Sequence, residues 1–133
     1  MSDDLRVPSA LEWEILDVIW DLGGQPSVRD VLERAYPNGE KAYTTVQTVM
    51  NNLVDKGWLR KKKTGLVNFY TPLRPRHESL RGEVKRFVDR VFDGSFPAMA
   101  DYLVRSKSLS KAELDELRRL IEESEARKGK GSR

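Results

Sequence analysis

The side chains best suited to specific chemistry are short, uncharged and polar, and they recur on one side of the segment from Tyr43 to Lys56. An ordinary solvent-facing helix favours Glu, Lys and Arg, which have better helix propensity than Thr or Asn. Gln and Asn can bond the N6/N7 edge of adenine, and a Thr methyl can pack on a thymine methyl. Both Thr and Asn can also bond phosphates. The candidate DNA contacts in this segment are Thr44, Thr45, Gln47, Thr48, Asn51 and Asn52.

A run of bases follows the polar segment within a few residues. The candidate phosphate contacts in this run are Arg60, Lys61, Lys62 and Lys63. A strand turns successive side chains to opposite faces, so two or three of the four are expected to reach one DNA backbone. Asn68 and Tyr70 follow shortly afterwards, and they either add polar contacts or cap the sheet.

The charge of the chain is strongly segregated. The 133 residues carry 24 Lys and Arg against 21 Asp and Glu, a net charge of +3. Residues 1–40 have three bases and nine acids, for −6, whereas residues 41–76 have eight bases and one acid, for +7. Residues 77–133 have thirteen bases and eleven acids, for +2. A local basic block on a mixed-charge body is typical of a polyanion site, and the alternative is a solvated surface stretch.

The composition argues against catalysis and against metal or cofactor binding. The chain has no cysteine, so a disulfide, a cysteine zinc site and a thiol nucleophile are excluded. The one histidine, His77, is expected on the surface of a helix. No glycine-rich phosphate loop is present. No apolar run approaches the roughly 18 residues of a membrane helix, and no signal peptide follows Met1. We expect a cytoplasmic protein without membrane insertion that is not an enzyme.

Local signals predict the elements that position these side chains. Ser9 with Glu12 is a capping box that begins a first helix, which ends at Gly23-Gly24. Ser27, followed by Asp30, caps a short second helix that ends at Pro37-Asn38-Gly39. The third helix spans about residues 43–56 and ends at Gly57 in a left-handed cap. Its buried face is expected to contain Val46, Val49, Met50 and Leu53.

Two short strands, residues 58–62 and 67–71, follow the third helix and predict a hairpin with a Gly-containing turn at residues 63–66. Trp58 and Phe69 are expected to pack this hairpin on the third helix, while Trp13 and Trp20 belong to the core or to a domain contact. The order of elements predicts a mainly α fold: a winged helix-turn-helix domain, three helices plus a small β-hairpin wing, over residues 1–74.

Residues 75–127 predict three amphipathic helices, near 76–92, 96–104 and 110–127, and the tail 128–133 is expected to be disordered. About 50 residues bury too little apolar surface for a secure domain. Pairing with a second copy would supply it, and a two-fold dimer matches a palindromic DNA site. The alternative is that these helices pack back on the first domain. The candidate dimer contacts are Leu80, Val84, Phe87, Val91, Leu103, Leu114, Leu117 and Ile121.

The order and spacing of several motifs resemble the penicillinase-repressor family of the BlaI/MecI type over roughly residues 6–124. The motifs are Leu11-Glu12-Trp13-Glu14-Ile15-Leu16, Ile19-Trp20, Tyr43-Thr44-Thr45-Val46-Gln47-Thr48-Val49-Met50, Lys56-Gly57-Trp58-Leu59, Phe69-Tyr70-Thr71-Pro72, Phe92-Asp93-Gly94-Ser95 and Leu109-Ser110 with Glu113-Leu114. The resemblance implies a bacterial winged-helix repressor with a C-terminal dimerisation region. It also implies palindromic operators of the TACA/TGTA type upstream of resistance or stress genes.

The resemblance places groove contacts at Thr44, Thr45, Gln47, Thr48 and Asn52. Some members of the family carry Lys or Arg in place of Thr44, Gln47 and Asn52. Members of β-lactam systems leave DNA after a membrane metalloprotease sensor triggers cleavage of an Asn-Phe bond. The aligned pair here is Asp101-Tyr102, in which an acid replaces the amide, so the sequence does not predict that this switch operates. A copper-responsive branch carries C-terminal cysteines, which this chain lacks.

The sequence therefore predicts a homodimeric transcriptional repressor that binds a palindromic double-stranded operator through the third helix and the basic wing. A first alternative is a winged-helix module that binds an acidic protein, although such a partner has no evident need of an uncharged Thr, Gln and Asn face. A second alternative is a ligand-sensing winged-helix regulator, which would need a pocket. The inducing signal and the target genes do not follow from the sequence.

Overall fold

The computed structural model of the chain describes residues 6–131, and side chains as far as residue 129. Within that range the elements are α1 (Ala10–Leu22), α2 (Val28–Ala35), α3 (Tyr43–Asp55), β1 (Leu59–Thr64), β2 (Val67–Pro72), α4 (Arg76–Val91), α5 (Phe96–Arg105) and α6 (Lys111–Gly131). The predicted fold class is confirmed: three helices and a two-stranded hairpin form a winged helix-turn-helix, and a three-helix region follows.

Capping boxes begin three of these helices. Ser9 Oγ accepts from the Glu12 N–H at 3.2 Å, and the Glu12 carboxylate accepts from the Ser9 N–H at 2.8 Å. Ser27 and Asp30 make the same reciprocal pair at α2, and Ser110 and Glu113 make it at α6. Each box satisfies two backbone N–H groups that a helix start leaves without a partner, which explains why the helices begin where the sequence predicts.

The first three helices and the hairpin enclose one buried cluster. Its members are apolar or aromatic residues that recur at helical or strand spacing: Ile15, Leu16, Ile19, Val28, Val31, Tyr36, Val46, Val49, Met50, Leu53, Trp58, Leu59 and Tyr70. The four predicted core positions of α3 are all buried. The opposite side of α3 is therefore held on the protein surface by the packing of its apolar side.

The end of α3 is a left-handed glycine cap, as predicted. Gly57 has φ 86°, and its N–H donates to the Val54 carbonyl at 3.1 Å. The Trp58 N–H donates to the Leu53 carbonyl at 2.9 Å, which completes a Schellman motif. This turn leads the chain directly from α3 into β1, the strand that carries the run of bases.

Replacing Gly57 by alanine is expected to lower the free energy of unfolding by about 1–2 kcal/mol, because a side chain strains this left-handed backbone. A Cβ at Gly57 would lie 3.4 Å from the Arg6 guanidinium, which is an ordinary contact, so the cost comes from the backbone conformation. The measurement is urea unfolding followed by tryptophan fluorescence. Gly82→Ala is the control, since Gly82 lies inside α4 without a positive φ, and alanine there is expected to stabilise by about 0.5–1 kcal/mol. Equal effects of the two changes would contradict the role of the cap.

The hairpin is tighter than the sequence predicted. Leu59 pairs with Pro72 at one end and Thr64 with Val67 at the other, so the loop is Gly65-Leu66 rather than residues 63–66. A two-residue loop with positive φ at Gly65 is compatible with the right-handed twist of the paired strands. Backbone contacts also join β2 to the start of α2, where the Tyr70 N–H donates to the Pro26 carbonyl at 2.9 Å.

Three tryptophans pack in a row at the edge of the core, to which Trp58 itself belongs. The Trp13 ring lies 6.1 Å from that of Trp20 and 5.5 Å from that of Trp58. Trp20 donates to the Arg74 carbonyl at 3.1 Å, and Trp58 donates to the Arg6 carbonyl at 2.7 Å. The predicted packing role of Trp58 thus includes α1 as well as α3, and Phe69 is half-buried.

A partly buried ion pair connects α1 to the end of α3. Lys56 Nζ lies 2.6 Å from a Glu12 carboxylate oxygen, and only 5% of Glu12 is exposed. The same carboxylate oxygen accepts from the Ser9 N–H, so its charge is well compensated. Lys56 is consequently engaged in holding the fold.

The described chain divides into two compact units between Arg81 and Gly82, inside α4. The sequence placed the division earlier, at residues 74/75. The difference has a local cause, because the start of α4 is held by side chains of the first unit: Arg76 Nε lies 3.0 Å from an Asp17 carboxylate oxygen. Independent folding of the two domains stays a prediction.

Residues 82–131 contain the rest of α4 together with α5 and α6. Among them Val88 is fully buried. Helix α6 continues to Gly131, which corrects the expectation that the tail begins at residue 128; Ser132 and Arg133 lie outside the described residues. The bases near this end, such as Arg127 and Lys128, favour helix because they compensate the dipole at its C-terminus. None of the described helices has the length and apolar character that would span a membrane.

Candidate nucleic-acid interface

The polar side of α3 lies on the surface, as the packing of its apolar side requires. Thr44, Thr48 and Asn52 are exposed, and Thr45, Gln47 and Asn51 are half-buried. The spacing of 44, 48 and 52 aligns the exposed residues in one row along the helix. No charged residue interrupts the row before Asp55, so α3 presents uncharged hydrogen-bonding groups on the surface.

Asn51 differs from the rest of the predicted set because its carbonyl oxygen is already engaged. Asn51 Oδ1 lies 2.9 Å from the Tyr70 hydroxyl and 3.2 Å from Lys61 Nζ. A lysine ammonium can only donate, so the atom that faces it must be the amide oxygen. Both donors come from the hairpin, and Asn51 therefore connects α3 to the wing.

Tyr70 is a core residue, and the sequence did not identify it as one. Its side chain is 1% exposed and lies in the same buried cluster as Leu59. Strand alternation could have indicated this burial. Tyr70 pairs with Lys61, and Lys61 lies on the same face of β1 as the buried Leu59. Burial raises the pKa of the Tyr70 phenol, which keeps its proton available for donation to Asn51.

The bases of the wing are exposed on both faces of β1. Lys61 and Lys63 share a face with Tyr70 and Asn68, and Arg60 and Lys62 lie on the other face with Thr71 and Phe69. Among the side chains described for residues 6–129, none of these four bases forms a salt bridge with a carboxylate. Their charges remain available to a polyanion, and the predicted alternation of side chains is present.

Other bases of the +7 segment are committed to the fold. Lys56 pairs with Glu12, and Arg76 pairs with Asp17. The Arg74 guanidinium lies 5.0 Å from the Trp58 ring centre and donates to the Gly57 carbonyl at 3.2 Å. The positive charge that a partner would meet is therefore concentrated on the wing, with Lys41 exposed just before α3.

Residues 82–131 expose a large apolar surface. Most of the predicted dimer contacts are exposed by 40% or more, namely Val84, Phe87, Val91, Leu117 and Ile121. Leu80, Leu103 and Leu114 are only half-buried. Phe96, Val104 and Leu120 add further exposed apolar side chains. So many exposed apolar side chains within about 50 residues favour a protein interface.

The pair Asp101-Tyr102 lies within α5. The Asp101 carboxylate accepts from Arg105 Nε at 2.6 Å, one turn along the helix, and Tyr102 is exposed. The Tyr102 ring lies 6.2 Å from the Phe92 ring. Cleavage between these two residues would require local unfolding of α5, because the bond lies inside a hydrogen-bonded helix.

Comparison with known proteins agrees with this geometry. The family model for the penicillinase repressor matches residues 8–123, which include every described helix and both strands except the end of α6. The chain belongs to the penicillinase repressor family. Its winged helix followed by three helices is therefore the architecture of a member of a transcriptional repressor family, and its relatives include proteins named as repressors and as a regulatory protein.

Curated relatives cover nearly the whole chain at low identity. The penicillinase repressor of Bacillus licheniformis is 28% identical over 120 residues, or 90% of this chain and 93% of that protein. The methicillin resistance regulatory protein MecI of Mammaliicoccus sciuri is 26% identical over 113 residues, or 85% of this chain and 91% of that protein. The penicillinase repressor of Staphylococcus aureus is 21% identical over 115 residues.

Proposed function

We propose that this chain is a homodimeric repressor that binds a palindromic double-stranded DNA operator. The observation that carries the proposal is the adjacency of two complementary surfaces. Helix α3 presents a row of uncharged hydrogen-bonding side chains, and the hairpin directly after it presents four bases that pair with no carboxylate in the described chain. The first surface suits base edges in a major groove, and the second suits phosphates.

The two surfaces contribute in different ways. Phosphate neutralisation by Arg60, Lys62 and Lys63 supplies affinity for any DNA through release of counterions. Thr44, Thr48 and Gln47 supply the choice of sequence through contacts with base edges. Lys61 contributes charge to the wing while it also bonds Asn51. Because the wing supplies the charge that binds phosphates, the face of α3 that contacts the bases needs no charged side chain.

Dimerisation would account for the exposed apolar surface of residues 82–131. Among the side chains described for residues 82–129, Val88 alone is fully buried. Covering Val84, Phe87, Val91, Leu117 and Ile121 with a second copy would therefore add most of the apolar burial that this unit lacks. A two-fold dimer presents two α3 helices to half-sites about one helical turn apart, which predicts a palindromic operator.

Selection of bound duplexes from a random DNA pool tests the function. We expect a palindromic consensus whose half-sites are about 10 base pairs apart from centre to centre. A consensus without two-fold symmetry would contradict the dimer. Absence of any enrichment would reject DNA binding and favour the module that binds an acidic protein.

A further inference from the structure

Asn51 occupies the junction between the reading helix and the wing, and the chemistry of its amide is restricted there. Its oxygen accepts hydrogen bonds from the Tyr70 hydroxyl and the Lys61 ammonium. Its two side-chain hydrogen bonds both use the oxygen, and among the side chains that the structure describes, residues 6–129, its nitrogen donates to none. The amide therefore has its acceptor satisfied by the protein while its two N–H donors remain for a partner.

We propose that Asn51 holds the wing in register with α3 through its oxygen and meets DNA with its N–H groups alone. This inference rests on the proposed DNA-binding function and deepens it. It changes what Asn51 can recognise, because the bidentate contact of asparagine with adenine needs the oxygen to accept from the 6-amino group. An amide that offers two N–H donors and no free acceptor is instead matched best by a site that presents two acceptors, which is a guanine O6/N7 edge or the oxygens of a phosphate.

The positioning role follows from the burial of Tyr70. The Tyr70 ring is fixed in the core, and its backbone N–H bonds the Pro26 carbonyl at the start of α2. A hydroxyl on such a ring is a rigid anchor, so the bond to Asn51 determines the distance between α3 and the hairpin at this point. Because the ring is 1% exposed, Tyr70 has no route to DNA except through Asn51.

A double-mutant cycle without DNA tests the anchor. We expect Tyr70→Phe and Asn51→Ala each to lower the equilibrium constant for folding by about tenfold, and the double variant to lower it by little more than one alone. The control cycle pairs Tyr70→Phe with Asn52→Ala, since Asn52 is the exposed neighbour and its side chain forms no such bond. Additive effects in the Asn51 cycle would overturn the anchor.

The second measurement compares the selected operator with random DNA. We expect Tyr70→Phe to lower the ratio of the two affinities several-fold, although the ring itself is buried. A purely structural role of Tyr70 would lower the amount of folded protein without changing that ratio. Enrichment of DNA by the wild-type protein together with an unchanged ratio for Tyr70→Phe would overturn this inference alone. Failure of the wild-type protein to enrich any duplex would overturn the proposed function and this inference with it.

Single-atom changes in the operator identify the acceptor. We expect either 7-deazaguanine at one position or a methylphosphonate at one phosphate to weaken the wild-type protein about tenfold, and to leave Asn51→Ala unaffected. The first result would assign the amide to guanine and the second to the backbone. Replacement of an adenine by purine removes the 6-amino group. A loss there that depends on Asn51 would contradict the donor-only amide.

Discussion

Replacing Ile121 by aspartate is expected to convert the protein to a monomer and to weaken binding to a full palindrome by about 10²–10⁴-fold. Ile121 lies on α6 and is 58% exposed, so the change leaves the fold of one chain largely intact. In the dimer the same position would be covered, and a buried carboxylate without a partner opposes association. Two linked half-sites bind far more tightly than one, and the monomer loses this advantage.

Sedimentation velocity at micromolar concentration measures the association, and binding to full and half operators measures the consequence. We expect Ile121→Asp and the wild-type protein to bind an isolated half-site with similar affinity in dilute solution. Leu73→Asp is the matched control, because Leu73 is 44% exposed but lies outside the proposed interface. A dimeric Ile121→Asp protein, or an equal loss for Leu73→Asp, would place the interface elsewhere.

Features that depend on neighbours in sequence were predictable. The capping residues Ser9, Ser27 and Ser110 each have their acidic partner three positions later, and the structure contains all three boxes. The left-handed cap at Gly57 is of the same kind, because it needs only a residue without a Cβ after the last helical turn. The apolar repeat of α3 then determined which side of that helix is buried.

Features that depend on distant residues were not predictable from pattern alone. The Glu12–Lys56 ion pair and the Asn51–Tyr70 hydrogen bond join residues 44 and 19 positions apart. Residues of these types usually have polar groups that face solvent. Here the polar groups bond each other because the elements that carry them pack together. Of the predicted DNA contacts, Asn51 changed most, since its oxygen serves the hairpin; the contacts themselves stay predictions.

The sequence predicted where the basic surface lies but not which bases belong to it. A net charge of +7 for residues 41–76 suggests eight bases acting together. The structure commits Lys56, Arg74 and Arg76 to contacts that hold the fold. Charge counting located the correct segment, but only packing separates the bases that stabilise the protein from those that face solvent on the wing.

The salt dependence of DNA binding is expected to reside in those wing bases. A dimer that neutralises about 6–10 phosphates should lose roughly 10³–10⁵ in affinity between 50 and 200 mM salt. Replacing Lys62 and Lys63 by glutamine removes four charges per dimer, and we expect the slope of log affinity against log salt to become shallower by about 2–4. The affinity for operator and for random DNA should fall by similar factors, since phosphates carry no sequence information.

Two controls separate this effect from net charge and from base reading. Lys107→Gln with Lys128→Gln removes as many charges from residues 82–131, where both lysines are exposed, and should leave the slope nearly unchanged. Gln47→Ala should retain the wild-type slope and lower the ratio of operator to random affinity, because Gln47 is proposed to contact a base edge. An unchanged slope in the wing variant would mean that other bases neutralise the phosphates, and Lys41 beside the start of α3 would be the next to replace.

Equal losses on both DNAs for Gln47→Ala would contradict the proposal that α3 reads the DNA sequence, because a contact that discriminates between bases must change their relative affinities.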